Sequence, residues 1–232
     1  MDYIRRADQR GRANFGWLDS RHTFSFGSYF DPRHMGFSVL RVINDDRVRG
    51  GAGFPAHGHR DMEIISYILE GAIEHRDSAG NRYVVPAGEV QRMSAGRGIQ
   101  HSEYNASRTA PLRFLQIWIE PNVTGITPGY EQASIEQCGP LTPLATPDGR
   151  EGSLTLHQDA SLSRLRLAAG ESFTLVPHGR AGYLHLIDGS AQMGGETFSE
   201  GDGIGFLKTR EQPIVAGSHG VEALWFDLPR HG

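Results

Sequence analysis

GGAGFPAHGHRDMEIISYILEG, residues 50–71, decides how the rest of the chain is read. It opens on glycine and proline, places His57 and His59 two residues apart, and runs into branched and aromatic residues that stop at Glu70-Gly71. Along a β-strand, residues i and i+2 share a face, so both imidazoles aim the same way. A second pair, His101-Ser-Glu103, has the same spacing. If the two strands oppose one another across a barrel, four donors meet at one point: three imidazoles and a carboxylate. That set suits a divalent transition metal with coordination positions left open for substrate or oxygen. Glu63 shares the parity of His57 and His59, so it too can face inward. One cation does not usually take both carboxylates beside three histidines.

The flanking sequence bears on whether a barrel is present. SVLRVIN (residues 38–44) is strand-like and ends at the turn signal Asp45-Asp46, while GGAGFPAHGH reads as a loop leading into the first pair. AIEHRD, RYVV, VQRMSAGRGIQHSEYN and RFLQIWIEP follow, separated by turns at residues 78–81 and 86–88. Partial alternation around Phe24 and Phe26 predicts a short strand there. Residues 121–152 are rich in Pro, Gly and Thr and read as a linker. Strand-length runs then resume, from SLTLHQ through YLHLIDG to VEALWFDLP, and no long amphipathic helix is evident. Short strands with frequent turns predict an all-β sandwich or barrel. A faint internal repeat aligns Gly71 with Gly189 and Gly88 with Gly201, which predicts two copies of one small barrel. The second copy carries neither ligand pair. The expected division is a metal-bearing domain over residues 1–125, a linker over 126–152, and a metal-free domain over 153–232 that buries apolar surface and stiffens the first.

Bulk properties exclude several classes. A formal charge of −4 argues against direct nucleic-acid binding, which shows as a basic face. No apolar run approaches the ~18 residues of a membrane span, and MDYIRRADQRGRANFGW has positive charge with no apolar stretch behind it, unlike a secretory signal. The single cysteine, Cys138, has no intramolecular partner and reads as an ordinary thiol. These features predict a cytoplasmic protein.

Gly51-x5-His57-x-His59-x3-Glu63, and Gly80-x5-Pro86-x-Gly88 followed by His101-x3-Asn105, resemble the two motifs of the cupin superfamily, small β-barrels that hold one metal. Two departures stand out. Gly71 lies one residue further from Glu63 than is usual, and the stretch from Gly88 to His101 is longer. With HTFSFGSYFDP, LRVINDD, HGHRDMEIISYILEG and SAGRGIQHSEYN, these departures resemble the pirin family, bicupins whose bacterial branch is described as quercetin 2,3-dioxygenase-like. The resemblance covers essentially the whole chain, most strongly residues 11–121. It implies an all-β fold of two tandem cupin (jelly-roll-like) barrels. It also implies metal ligation by His57, His59, His101 and Glu103, whereas in typical cupins the equivalent of Glu63 is the ligand. Fe(II) is the implied ion, with Mn, Ni, Co, Cu and Zn also compatible with a site lacking thiolate. The implied reaction is O₂-dependent ring opening of a flavonol with loss of carbon monoxide. Glu103, or Glu63 nearby, takes the hydroxyl proton. The competing reading is a non-enzymatic, redox-responsive metal protein acting through protein partners; a metal-dependent isomerase or hydrolase is the third. A monomer is expected.

Lesser candidates are assigned bland roles. His22 and His34 are expected in solvated loops, His75 facing solvent on a hairpin, and His178 and His185 as remnants or surface residues. Asp45-Asp46 reads as a turn rather than an acid pair, Lys208 and Arg210 as solvated loop. Gly96-Arg-Gly98 is no phosphate loop because no helix follows it. Phe54, Tyr104, Phe114 and Trp118 lie close to the ligand pairs in sequence, and each by itself reads as core.

Overall fold

A computed structural model describes residues 1–177, 179–207 and 211–230. The strands are β1 (Tyr3–Arg5), β2 (Gly11–Asn14), β3 (Leu18–His22), β4 (Leu40–Val48), β5 (Gly53–Glu70), β6 (Ala72–Asp77), β7 (Arg82–Pro86), β8 (Glu89–Asn105) and β9 (Leu112–Ile119). They continue as β10 (Gly129–Ser134), β11 (Leu141–Thr146), β12 (Leu154–Thr155), β13 (Ser161–Leu167), β14 (Ser172–Leu175), β15 (Ala181–Met193), β16 (Glu196–Ser199), β17 (Gly203–Phe206) and β18 (Gln212–Leu228). Helix is confined, among the described residues, to single 3₁₀ turns at Ala7–Gln9 and Arg150–Gly152. The all-β expectation holds.

The chain forms two compact units, and their boundaries differ from the expected three-part division. One comprises residues 11–135 and 154–158; the other comprises residues 1–10, 136–153 and 159–232. The N-terminal residues belong to the second because β1 pairs with β17, Tyr3 lying opposite Gly205. The stretch expected to be a linker carries two strands. Gly129–Ser134 extends the first unit's sheet by pairing along β8, and β11 pairs with β13. Proline and glycine density hid them. Pro143 occurs at a register shift in β11, a position where a strand tolerates the missing N–H.

In the first unit the strands run β2-β3-β4-β9-β5-β8-β6-β7, with β10 also on β8. The long strands β5 and β8 are its spine. The first half of β8 lies between β5 and β10, its second half between β5 and β6. Leu18, Val48, Ile68, Ile73, Val85, Leu112 and Phe114 pack one buried cluster; Ile64, Met93, Ala95 and Ile99 pack another. GGAGFPAHGH is loop only up to Ala52; from Gly53 it is strand. Asp45 and Asp46 are mid-strand in β4, not a turn. Phe24 is buried, but the segment around it is irregular, with only an isolated bridge between Phe26 and Tyr29.

In the second unit the order is β1-β17-β15-β18-β13-β11, with β14 on β18 and β16 on β15. Its main apolar cluster is built on residues such as Leu165, Leu186, Phe198, Phe206, Ile214 and Trp225. The repeat seen in sequence is visible in the backbone. Gly88 N–H donates to Ile68 O at 2.9 Å, and Gly201 N–H donates to Leu186 O at 2.8 Å. Those carbonyls stand three residues before Gly71 and Gly189, which both take left-handed φ values, 76° and 72°.

Candidate metal centre

His57 lies directly opposite His101 in the β5–β8 ladder, with Gly58 opposite Gln100 and His59 opposite Ile99. The ligand strands are therefore hydrogen-bonded neighbours, not opposed walls of a barrel. Cross-strand partners project to one face, so the three imidazoles converge. Register shifts flank the pair, between Phe54 and His57 and between His59 and Asp61. Such bulges re-aim side chains and are common beside functional sites.

The donor nitrogens of His57, His59 and His101 lie within 4.8 Å of one another. His57 Nδ1 donates to the Pro55 carbonyl at 2.8 Å, which leaves Nε2 as a lone-pair donor, and that atom stands 3.1 Å from His101 Nε2. Two nitrogens bound at about 2.1 Å, with a right angle between them, lie about 3 Å apart. A hydrogen bond between neutral rings has the same span; the third nitrogen, that of His59, is what makes the cluster able to hold a metal ion. Burial and mutual repulsion lower the pKa of His59 to about 4 and of His101 to about 3. Both rings are thus neutral, the form a metal requires.

Glu103 stands with His101 and His75 in a second cluster of potential ligands. It is 3% exposed, and both of its oxygens are engaged. Oε1 is 3.2 Å from Ser66 Oγ and 3.1 Å from Gln91 Nε2, and Oε2 accepts from Gln116 Nε2 at 2.8 Å. Tyr130 steadies Gln91 by donating to its Oε1 at 2.9 Å. These donors on β5, β8 and β9 hold the buried acid in place, as the partners of a metal-bound acid do. The two clusters share His101: the nitrogens of His57, His59 and His101 by themselves fit one divalent cation, and Glu103 stands beside that triad with His75.

Glu63 goes elsewhere. It is fully buried, and its Oε2 meets the backbone N of His157 at 3.2 Å and that ring's Nδ1 at 3.3 Å. Among the described residues it joins no metal-binding cluster. His75 is also displaced from its expected place. It is completely buried, bonded to Asp77 Oδ2 at 3.0 Å, with its ring 5.4 Å from that of His101. His22 is buried rather than solvated, 2.8 Å from Asn44 Oδ1. His34 is in a loop, as expected, and Cys138 is exposed. His185 is buried in β15, while His178, Lys208 and Arg210 lie outside the described residues.

A cavity of about 370 Å³ opens beside His57 and His59, within the range of small-molecule sites. Phe26, Phe54 and Trp118 wall it, and Trp118 meets the His59 ring edge-on at 5.0 Å. Asn44, Asp46, Glu103 and Gln116 supply its polar lining. Of the four aromatic residues singled out by sequence, Phe54 and Trp118 reach the cavity, Phe114 is core, and Tyr104 is 40% exposed. Asp46 was missed, since a buried acid in a strand has no local signature. Alternation along β4 sends Asp45 to Arg113, which grips it through two bonds of 3.0 and 2.9 Å, and Asp46 to the cavity. Burial pushes the Asp46 pKa up to about 7, against the Ser20 hydrogen bond and with Asp45 and Glu103 adding repulsion.

The family model for Pirin matches residues 4–119, and the model described as the quercetinase C-terminal cupin domain matches residues 143–228. The chain belongs to the pirin family. Both cupin domains of a bicupin are thus accounted for. This pirin is 49% identical, over 99% of each chain, to a protein of Escherichia coli K12 named quercetin 2,3-dioxygenase. It is 40% identical to a putative quercetin 2,3-dioxygenase of Mycobacterium bovis, over 96% of this chain and 93% of the relative. The crystal structure of the bacterial pirin YhhW of Escherichia coli in complex with nickel(II) superposes with a TM-score of 0.94 at 48% identity, covering 99% of both chains.

Proposed function

We propose that this pirin is a metal-dependent dioxygenase that opens flavonols such as quercetin, consuming O₂ and releasing carbon monoxide. His57, His59, His101 and Glu103 hold its one cation, with Fe(II) first among the ions. The observation that carries the reading is a convergent histidine triad beside a cavity walled by flat aromatic side chains. The names and the nickel complex of close relatives support it.

The residues divide the work. Held by three imidazoles and one carboxylate, a divalent ion would keep one net positive charge. When bound, the cation supplies Lewis acidity and a template for an enolic substrate and oxygen. His57 is fixed by Pro55, and Glu103 by Ser66, Gln91 and Gln116, so the donor set is preorganised. Phe26, Phe54 and Trp118 receive a planar ring and keep water from it. Glu103, expected from sequence to be both ligand and base, is held too firmly to leave its place readily, which suits the first role better than the second.

The test is metal analysis of protein purified without added metal, followed by reconstitution with each candidate ion and quercetin turnover with and without O₂. Oxygen-dependent loss of flavonol absorbance with carbon monoxide release is expected, fastest with Fe(II). No loss with any ion would overturn the reading.

A further inference from the structure

The structure assigns Asp46 as the acceptor of the substrate's enolic proton, a catalytic residue separate from the metal ligands. The inference rests on the dioxygenase reading. Besides His57 and His59, the polar side chains Asn44, Asp46, Glu103 and Gln116 line the cavity, and all but Asp46 have a hydrogen-bond partner at the atoms that follow. Asn44 Oδ1 is 2.8 Å from His22 Nδ1, Gln116 donates to Glu103, and both Glu103 oxygens are occupied. Asp46 is 4% exposed, and its Oδ1 has no hydrogen-bond partner among the described residues. A buried carboxylate oxygen without a donor is costly, and a ligand hydroxyl in the cavity removes that cost.

The rival acids are placed elsewhere. Asp45 is on the opposite face of β4 in the grip of Arg113, and Glu63 is bonded to His157. The charged and titratable groups around Asp46 are Glu103, His57 and His59 across the cavity, His22 on β3 at the adjoining space, and its neighbour Asp45, while Ser20 meets it from β3. A cation at the triad favours the charged, proton-accepting form of Asp46. Asp46 also borders a second space of about 130 Å³, whose wall shares Phe26, Asn44 and Phe54 with the first. A flat ligand longer than one cavity therefore passes alongside this carboxylate. In the step, the hydroxyl O–H bond breaks, the proton moves to Oδ1, and the electron pair stays on the substrate oxygen. The ring so enriched in electrons is the species that meets O₂.

The experiment uses nickel(II)-loaded protein without oxygen, titrated with 3-hydroxyflavone, whose anion absorbs to the red of the neutral form. Wild type is expected to bind the anion near neutral pH. In D46N the pH at which the bound ligand ionises is expected to rise by about one unit or more. With Fe(II) and O₂, kcat for D46N is expected to fall by about 100-fold, while KM changes far less and metal content not at all. Should D46N fail to fold, Asp46→Ala is read the same way, with partial recovery of turnover by added formate. Unchanged ionisation of the bound flavonol, with kcat within about threefold of wild type, overturns the assignment and leaves the dioxygenase reading intact. A wild-type protein that binds no flavonol with any ion overturns both.

Discussion

Glu103 shows how much a single side chain depends on neighbours that sequence does not announce. Its parity with His101 was legible, because two-residue spacing on a strand fixes the face. Its three donors come from three strands, and only pairing brings Ser66, Gln91 and Gln116 together. Partners of this kind tune metal affinity by about 10–100-fold. Gln91→Leu is therefore expected to weaken binding of the cation by about that factor while the histidine triad stays in place, measured by competition with a chelator. His101→Ala, which deletes a ligand, is expected to lower bound metal at least about tenfold. If Gln91→Leu leaves affinity unchanged, Gln91 does not tune the site through Glu103. His75 and Asp46 were misread for a related reason. Turn-like or hairpin context predicts exposure, yet both side chains are interior because β6 packs against β8 and β4 runs on through Asp45-Asp46.

At the scale of elements, the repeat was the most informative pattern, and its glycines have a mechanical cause. A Cβ on Gly71 would lie 2.7 Å from the Pro111 carbonyl oxygen, and one on Gly189 would lie 2.2 Å from that of Gly220. Both positions also have left-handed φ, which costs an L-residue roughly 1–2 kcal/mol before any clash. Gly71→Ala and Gly189→Ala are each expected to lose at least about that much stability, with Gly189→Ala the more severe because its closest contact is shorter. Denaturant unfolding of the two variants checks the order. The strands from Gly53 and through 129–146 were hidden by proline and glycine, which break strands on average but are accommodated here at bulges and register shifts.

For the whole molecule, two units of one design were foreseeable, but the return of residues 1–10 to the C-terminal unit was not, since a three-residue strand carries too little pattern to predict its partner. The balance of buried titratable groups is likewise a property of the assembled chain, and it fixes a pH response. In metal-free protein His59 and His101 have folded pKa values of about 4 and 3 against 6.5 for the free side chain. As pH falls below 6.5 the unfolded chain takes up protons that the folded chain refuses, so these groups destabilise the fold progressively. Asp46 acts in the opposite sense. Its folded pKa is about 7 against 3.8, so its relative stabilisation is complete below 3.8 and is lost as pH rises through 7. Two histidines outweigh one carboxylate between about pH 4 and 6.5, and net stability is expected to rise with pH across that window. Above 6.5 the histidines contribute no further change, and Asp46 alone turns the curve downward. D46N removes the opposing term: its stability should climb more steeply from pH 4 to 6.5 and stay level to 7.5. Urea midpoints of metal-free wild type and D46N at half-unit pH intervals separate the two curves, and parallel curves would mean that Asp46 is ionised in the folded protein throughout.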